Sequence, residues 1–258
     1  MSRIIVIANQ KGGVGKTTTS INLASTLAVM EKKVLVVDCD PQANATSGLG
    51  VDQELIGENL YSVFFQPDRA MDAIYETSSP HVSVLPSTQD LVAVELELVD
   101  KMGREYYLQE LIASIENHFD YIILDCPPSL GLLTVNALCA ARELLIPLQC
   151  EYFALEGIVK LLQTFEQVKK RLNPKLHLLG VLLTMYDVRN KLSRQVKLEV
   201  RKCFPDQIFE TIIPRNVRLS EAPSYGKTII KYDIKSKGAE AYLALAKEVV
   251  IRKPKVEA

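Results

Sequence analysis

Along nearly the whole chain, short runs of branched apolar residues alternate with longer stretches in which apolar positions recur every three to four residues. The runs at 4–8, 34–38, 82–86, 121–125, 144–148, 178–184 and 209–213 read as strands. Several are apolar without alternation, as strands covered on both faces of a parallel sheet are. The longer period at 17–30, 106–119, 155–172, 191–203 and 239–250 reads as helix. Strand and helix in regular succession imply an α/β fold, a single doubly wound, mostly parallel sheet flanked by helices. No linker rich in Pro, Gly or Ser breaks the rhythm, so residues 1–258 are expected to form one domain, with 252–258 a frayed basic tail. With 48% hydrophobic residues in 258, the chain can bury the core such a sheet needs.

Chemistry enters at Lys11-Gly12-Gly13-Val14-Gly15-Lys16-Thr17-Thr18, which follows the first strand and opens the first helix. Glycines let the main chain approach phosphate oxygens with no Cβ in the way, and the helix N-terminus adds the positive end of its dipole. Lys16 supplies a point charge for phosphate, and Thr17 a hydroxyl for magnesium. Two carboxylate segments fit the same machinery. The second strand ends in Asp38-Cys39-Asp40-Pro41-Gln42, at the rim where open α/β sheets bind ligands. The run Tyr121-Ile122-Ile123-Leu124-Asp125-Cys126-Pro127-Pro128 is an apolar strand closing on an aspartate, the form of a Walker B segment that holds magnesium. A lone aspartate in either place is more often a cap or a turn former; beside a phosphate loop the functional reading is the stronger one.

The pattern G-x-x-x-x-G-K-[ST] is not quite met, because Gln10 stands at its first glycine and Lys11 is an added lysine. In this form the loop resembles the deviant Walker A loop of the ParA/MinD group of P-loop ATPases. The resemblance covers essentially the entire chain: Asp-x-Asp-Pro-Gln-x-Asn-x-Thr at 38–46, Asp-x-Pro-Pro-Ser from Asp125, and the block 212–228 with Ser224-Tyr225-Gly226-Lys227, which is similar to the chromosomal, Soj-like branch. It implies an ATPase with ATP and Mg2+ as cofactors. Phosphates would be bound by Lys11, Gly12, Gly13, Val14, Gly15, Lys16, Thr17 and Thr18, and adenine by Pro214 and Asn216. Thr17, Asp38, Asp40 and Asp125 would serve the metal. By the same resemblance Lys11 reaches across a nucleotide-sandwich homodimer, Asp40 orients the attacking water, and a ParB-type centromere-binding partner speeds a slow hydrolysis. Adenine is also favoured by the lack of an N-K-x-D segment near Leu183-Thr184-Met185-Tyr186-Asp187.

A net charge of −1 excludes a uniformly basic nucleic-acid coat. Its distribution changes that picture, since residues 1–186 carry 14 basic and 22 acidic side chains while residues 187–258 carry 16 and 9. At 100° per residue, a helix over 191–203 places Leu192, Val196, Val200 and Cys203 within an arc of ~80°. Lys191, Arg194, Lys197, Arg201 and Lys202 fall within a separate arc of ~140°. With Arg189, Arg215, Arg218, Lys227, Lys231 and Lys247 they are expected to form a patch for non-specific double-stranded DNA; the competing reading is a solvated helix face. Arg189 and Arg218 are the positions the resemblance favours first.

Other classes fit less well. A MinD-like membrane-associated positioning ATPase would need a C-terminal amphipathic anchor, and Arg252-Lys253-Pro254-Lys255-Val256-Glu257-Ala258 lacks large apolar residues. No stretch approaches the length of a membrane span, no signal-peptide layout opens the chain, and no helix-turn-helix precedes Ile4. A cytoplasmic protein is expected, nucleoid-associated when ATP-bound, without operator-specific binding. Cys39, Cys126, Cys139, Cys150 and Cys203 form no C-x-x-C pair and read as buried free thiols, not as a cluster-carrying site. No substrate motif of a small-molecule ligase is evident.

Overall fold

The computed structural model describes residues 2–151 and 154–252. Its first half runs β1 (Arg3–Ile7), α1 (Lys16–Val29), β2 (Val34–Asp38), α2 (Asn44–Gly48), α3 (Leu60–Val63), β3 (Tyr75–Glu76), β4 (Val82–Leu85), α4 (Val92–Glu97) and α5 (Tyr107–Ile115). Then follow β5 (Tyr121–Asp125), α6 (Leu132–Ala140), β6 (Glu143–Gln149), α7 (Ala154–Arg171), β7 (His177–Thr184), α8 (Lys191–Cys203), α9 (Val217–Glu221), α10 (Ile229–Asp233) and α11 (Lys237–Ile251). The strands form one sheet of order β3-β4-β2-β5-β1-β6-β7, parallel throughout except for the short antiparallel edge strand β3. This is the α/β sheet that the apolar runs implied.

The unbroken apolar character of β1, β2 and β5 has a simple cause, which is that each is covered on both faces. Ile4 and Val6 of β1, with Leu35 and Val37 of β2, face the layer that holds α5, α6, α7 and α8. Ile5 and Ile7, with Val34 and Val36, face the opposite layer, where α1 and α11 pack. Fully buried side chains of this kind contribute roughly 1.5–3 kcal/mol each. The central order β2-β5-β1 sets the carboxyl ends of three strands side by side, with Asp38 and Asp125 in register.

One expected strand is absent. Residues 209–213 form no strand; isolated bridges to the β7 side flank them, at Val181↔Ile208 and Tyr186↔Pro214. Phe209 N–H and Ile213 N–H do donate to carbonyls of β7, but between them the Glu210 and Thr211 N–H groups each donate to the Glu248 carboxylate at 2.9 Å. A side chain from α11 thus takes the place of ladder partners between these two bonds, and no continuous ladder forms. Arg252 secures the arrangement by donating to Glu248, to the Leu179 carbonyl and to the Ile208 carbonyl. That residue is therefore docked and not frayed; the remainder of the expected tail, 253–258, lies outside the described residues. Cys203 also departs from expectation: it is exposed, whereas the other four cysteines are buried free thiols.

Candidate functional site

The loop between β1 and α1 owes its shape to two glycines. Gly13 and Gly15 have φ of +72° and +89°, a region that side chains with a Cβ disfavour. Gly15 is also the N-cap of α1 and provides no side-chain oxygen, so the first amides of a 14-residue helix have no capping partner. A Cβ at Gly12 or Gly13 would meet no atom within 4 Å, which leaves the space over these amides open. Asn9 holds the loop from below by accepting the Lys11 N–H at 3.0 Å and donating to the Pro147 carbonyl at 2.7 Å. Thr184 at the end of β7 donates to the Val14 carbonyl at 2.8 Å.

Lys16 is only 7% exposed, and its ammonium donates to the Lys11 carbonyl at 3.2 Å. Burial lowers its pKa, an effect opposed by the nearby charges of Asp125 and Asp40. Asp125 is fully buried at the end of β5, where it accepts from Thr17 Oγ1 at 2.8 Å and from Ser20 Oγ at 2.7 Å. Asp38, its neighbour across β2 and β5, accepts from Thr46 N–H (2.8 Å), Thr46 Oγ1 (2.7 Å) and Asp40 N–H (3.2 Å). Burial raises the pKa of both carboxyls; their mutual repulsion adds to the effect at Asp38. Asp40, 7% exposed, accepts from the Gln42 N–H at 3.0 Å. Thr17, Lys16, Asp125, Asp38 and Asp40 thus converge as expected. Asp38, like Asp125, accepts a hydrogen bond at each oxygen, and through these bonds it organises the turn after β2.

Lys11 lies at the mouth of this site, 36% exposed, and pairs with Glu151 at 2.5 Å. Glu151 in turn accepts from Gln149 Nε2 at 2.5 Å. Pro214 is drawn beside the loop after β7 by paired bonds, Tyr186 N–H to Ile213 O and Arg215 N–H to Tyr186 O. Asn216 caps α9 through the Arg218 N–H. Ser20, Thr46 and Glu151 went unmarked as site residues in the sequence, although Thr46 closes the motif at 38–46; hydroxyls on helices carry no pattern that would single them out. A cavity of about 990 Å³ opens elsewhere, at the amino ends of β6 and β7, and none of its lining residues belongs to the phosphate loop.

The expected basic patch is not one surface. Arg189, Lys191, Arg194 and Arg215 gather near the carboxyl end of β7, where Arg189 pairs with Asp187 at 2.9 Å. Arg218 on α9 is paired with Glu221 at 2.9 Å and with Asp233 of α10 at 3.6 Å, which ties it to the layer of α10 and α11. Lys197 lies over the Tyr186 ring, beside the cluster at the end of β7, whereas Arg201 and Lys202 at the other end of α8 are paired with Glu210 and Glu199. Lys247 sits on α11, across the sheet from α8, and Lys227 lies just before α10, in the same layer as α11. Lys231 donates to the Ser78 carbonyl in the turn between β3 and β4, at the far edge of the sheet. Helical periodicity aligned the charges of α8 correctly but carried no information on how distant segments pack around it.

An uncapped helix N-terminus, a buried lysine and strand-end carboxylates on a parallel sheet define a P-loop nucleoside triphosphatase with a deviant Walker A loop. The chain matches the family described as an AAA domain over residues 2–178. It is 53% identical over 252 residues to the chromosome partitioning protein ParA of Myxococcus xanthus, covering 98% of this chain and 89% of that one. It is also 53% identical over 249 residues to the sporulation initiation inhibitor protein Soj of Bacillus subtilis, covering 96% and 98%. A solved cobyrinic acid a,c-diamide synthase from Mycobacterium smegmatis, with bound ATP analogue and magnesium, is similar with a TM-score of 0.84 and 37% identity, covering 96% and 93%. The chain belongs to the ParA/Soj family of chromosome-partitioning ATPases. Among the described residues no helix is long and apolar enough to cross a membrane.

Proposed function

We propose that this chain is a DNA-segregation ATPase whose ATP-bound form is a sandwich homodimer that holds double-stranded DNA without sequence preference. In this reading a ParB-type partner stimulates hydrolysis, and hydrolysis returns the protein to monomers that let go. The observation that carries the reading is the position of Lys11, partly exposed at the mouth of an otherwise complete phosphate site, where a second protomer can be reached.

The residues present fit ATP and magnesium. The open space over the Gly12 and Gly13 amides suits phosphate oxygens, and Lys16 is a buried ammonium that donates to the neutral Lys11 carbonyl. Thr17, Asp125 and Asp40 supply hard oxygen donors. When bound, magnesium would neutralise phosphate charge during phosphoryl transfer. Lys16 and the loop amides orient the β- and γ-phosphates, Lys11 of the opposite protomer offsets negative charge, and Asp40 orients the attacking water.

For DNA the proposal narrows to Arg189, Lys191, Arg194, Lys197 and Arg215 beyond β7, with Arg218 on α9 as a further contact. Their ion pairs with Asp187 and Glu221 are exposed and so contribute little that phosphate contacts could not replace. A few such contacts per protomer bind weakly, and dimerisation multiplies them through effective concentration. Sedimentation with ATP tests the dimer: Asp40→Ala should accumulate as dimer and Lys11→Ala should remain monomeric. A Lys11→Ala protein that dimerises as the parent does would refute the assignment.

A further inference from the structure

Asp125 closes β5 as a fully buried carboxylate, in register with a second one, Asp38, on the neighbouring strand. Its two oxygens are held by different hydroxyls of α1. Oδ2 accepts from Thr17 Oγ1 at 2.8 Å, and Oδ1 accepts from Ser20 Oγ at 2.7 Å. Thr17 and Ser20 stand three residues apart, so one side of the helix supplies both bonds. Thr17 lies half-buried at the edge of the site, whereas Ser20 is fully buried one turn further in.

A threonine hydroxyl serves a cation through its oxygen lone pairs, so its hydrogen must point elsewhere. Asp125 Oδ2 is the acceptor that takes the Thr17 hydrogen. That arrangement depends on the rotation of the carboxylate about its Cβ–Cγ bond, a torsion that is broad and roughly two-fold unless a contact fixes it. Ser20 is the contact at the other oxygen. Its Oγ also approaches the Lys16 carbonyl at 3.1 Å, the bond that a helical serine makes back to its own helix. A hydroxyl has one hydrogen to donate, and the shorter approach is to the charged acceptor, so Asp125 receives it.

We infer that Ser20 is a positioning residue for the magnesium that accompanies the nucleotide: it acts through Asp125, fixing that carboxylate so that Thr17 keeps its lone pairs free for the cation. The inference rests on the reading that this site takes nucleotide with magnesium, and not on hydrolysis or dimerisation. A partner that orients a ligand in this way contributes about 10- to 100-fold to metal affinity. The competing role, a back-bond that shapes α1, predicts no dependence on metal.

The test is the affinity of the full chain for a fluorescent ADP analogue, measured in EDTA and in excess magnesium; the ratio of the two is the gain that the metal supplies. Ser20→Ala should bind the analogue in EDTA as the parent does, and its gain should fall by about tenfold. Ser25→Ala removes another buried serine of α1, one that donates to the Asn22 carbonyl, and should keep the parent's gain. Ser20→Cys, close in shape and a weak donor, should lose gain in the same direction, which keeps the test decisive if the alanine variant folds poorly. Phosphate release by Ser20→Ala should need about ten times more magnesium to reach half its maximal rate. An equal gain in Ser20→Ala and the parent would overturn the inference. So would affinity lost alike in EDTA and in magnesium, which would assign Ser20 to the shape of the loop. A lowered gain in proteins that release no phosphate would keep the role of Ser20 and overturn the hydrolysis reading instead.

Discussion

Lys11 is held where it stands by a contact within its own chain, the pair with Glu151 at 2.5 Å. Any task on a partner's nucleotide requires that pair to break first. Both groups are more than a third exposed, so the pair is screened and its removal should favour the ATP-dependent dimer only a few-fold. Glu151→Gln is therefore expected to lower the protein concentration at which Asp40→Ala dimerises with ATP; a raised or unchanged concentration would show that Glu151 does not restrain Lys11. Lys16→Ala should abolish nucleotide binding, because nothing else in the described site supplies a buried positive charge. Asp40→Ala should keep ATP binding and lose turnover by about 10²-fold or more, as expected for a residue that positions the attacking group. Equilibrium binding of a fluorescent ATP analogue and steady-state phosphate release separate the two. Lys11, Lys16, Asp38, Asp40 and Asp125 were legible in the sequence because each stands a fixed distance from a strand end. Glu151 was not, because its partner is 140 residues away and no spacing links them.

The same contrast holds for elements. Helix α8 occupies the residues its periodicity predicted, since Val196 and Val200 had an apolar core to meet and the charges between them did not. The segment 209–213 has a strand's composition, yet Glu248 intercepts two of its amides. Between β2 and α5 the short helices and the two-residue strand β3 went unread, as elements of one or two turns offer too few positions to show a period. Glu248→Ala leaves the Glu210 and Thr211 amides without an acceptor and removes the one charged acceptor of Arg252, which keeps the Leu179 and Ile208 carbonyls, and should cost about 1–3 kcal/mol, a melting temperature lower by several degrees. Burial acts to raise the Glu248 pKa, but bonds from the Thr211 and Glu210 amides and from Arg252 outweigh it and hold the pKa below the ordinary 4.5. Its folded-state pKa being depressed, the stabilisation is full above pH 4.5 and fades as pH falls through the folded value. Melting curves of parent and Glu248→Ala should converge over that window; a gap that persists at acid pH would contradict the role given to this carboxylate.

At the scale of the whole molecule, near-neutral charge hides a division of labour. An acidic segment lies around α4, the nucleotide site occupies the rim of β1, β2 and β5, and Arg189, Lys191, Arg194 and Arg215 lie beyond the carboxyl end of β7. Two carboxylate turns and the loop after β7 meet at this rim, so one nucleotide is in reach of all three. The alternation of strand and helix made the sheet legible, and the motifs placed the rim on it. What the sequence did not disclose was which cations share a face, because that depends on long-range packing that no local period encodes. The central claim is that nucleotide controls DNA binding by controlling dimerisation. It is tested most directly by titrating the protein onto a DNA duplex of arbitrary sequence over a range of salt, without nucleotide, with ADP and with ATP. Binding should be strong and salt-sensitive with ATP alone, with a steeper salt dependence than in the other two states, because a dimer displaces more counterions. Equal affinity and equal salt dependence in all three states would contradict the account.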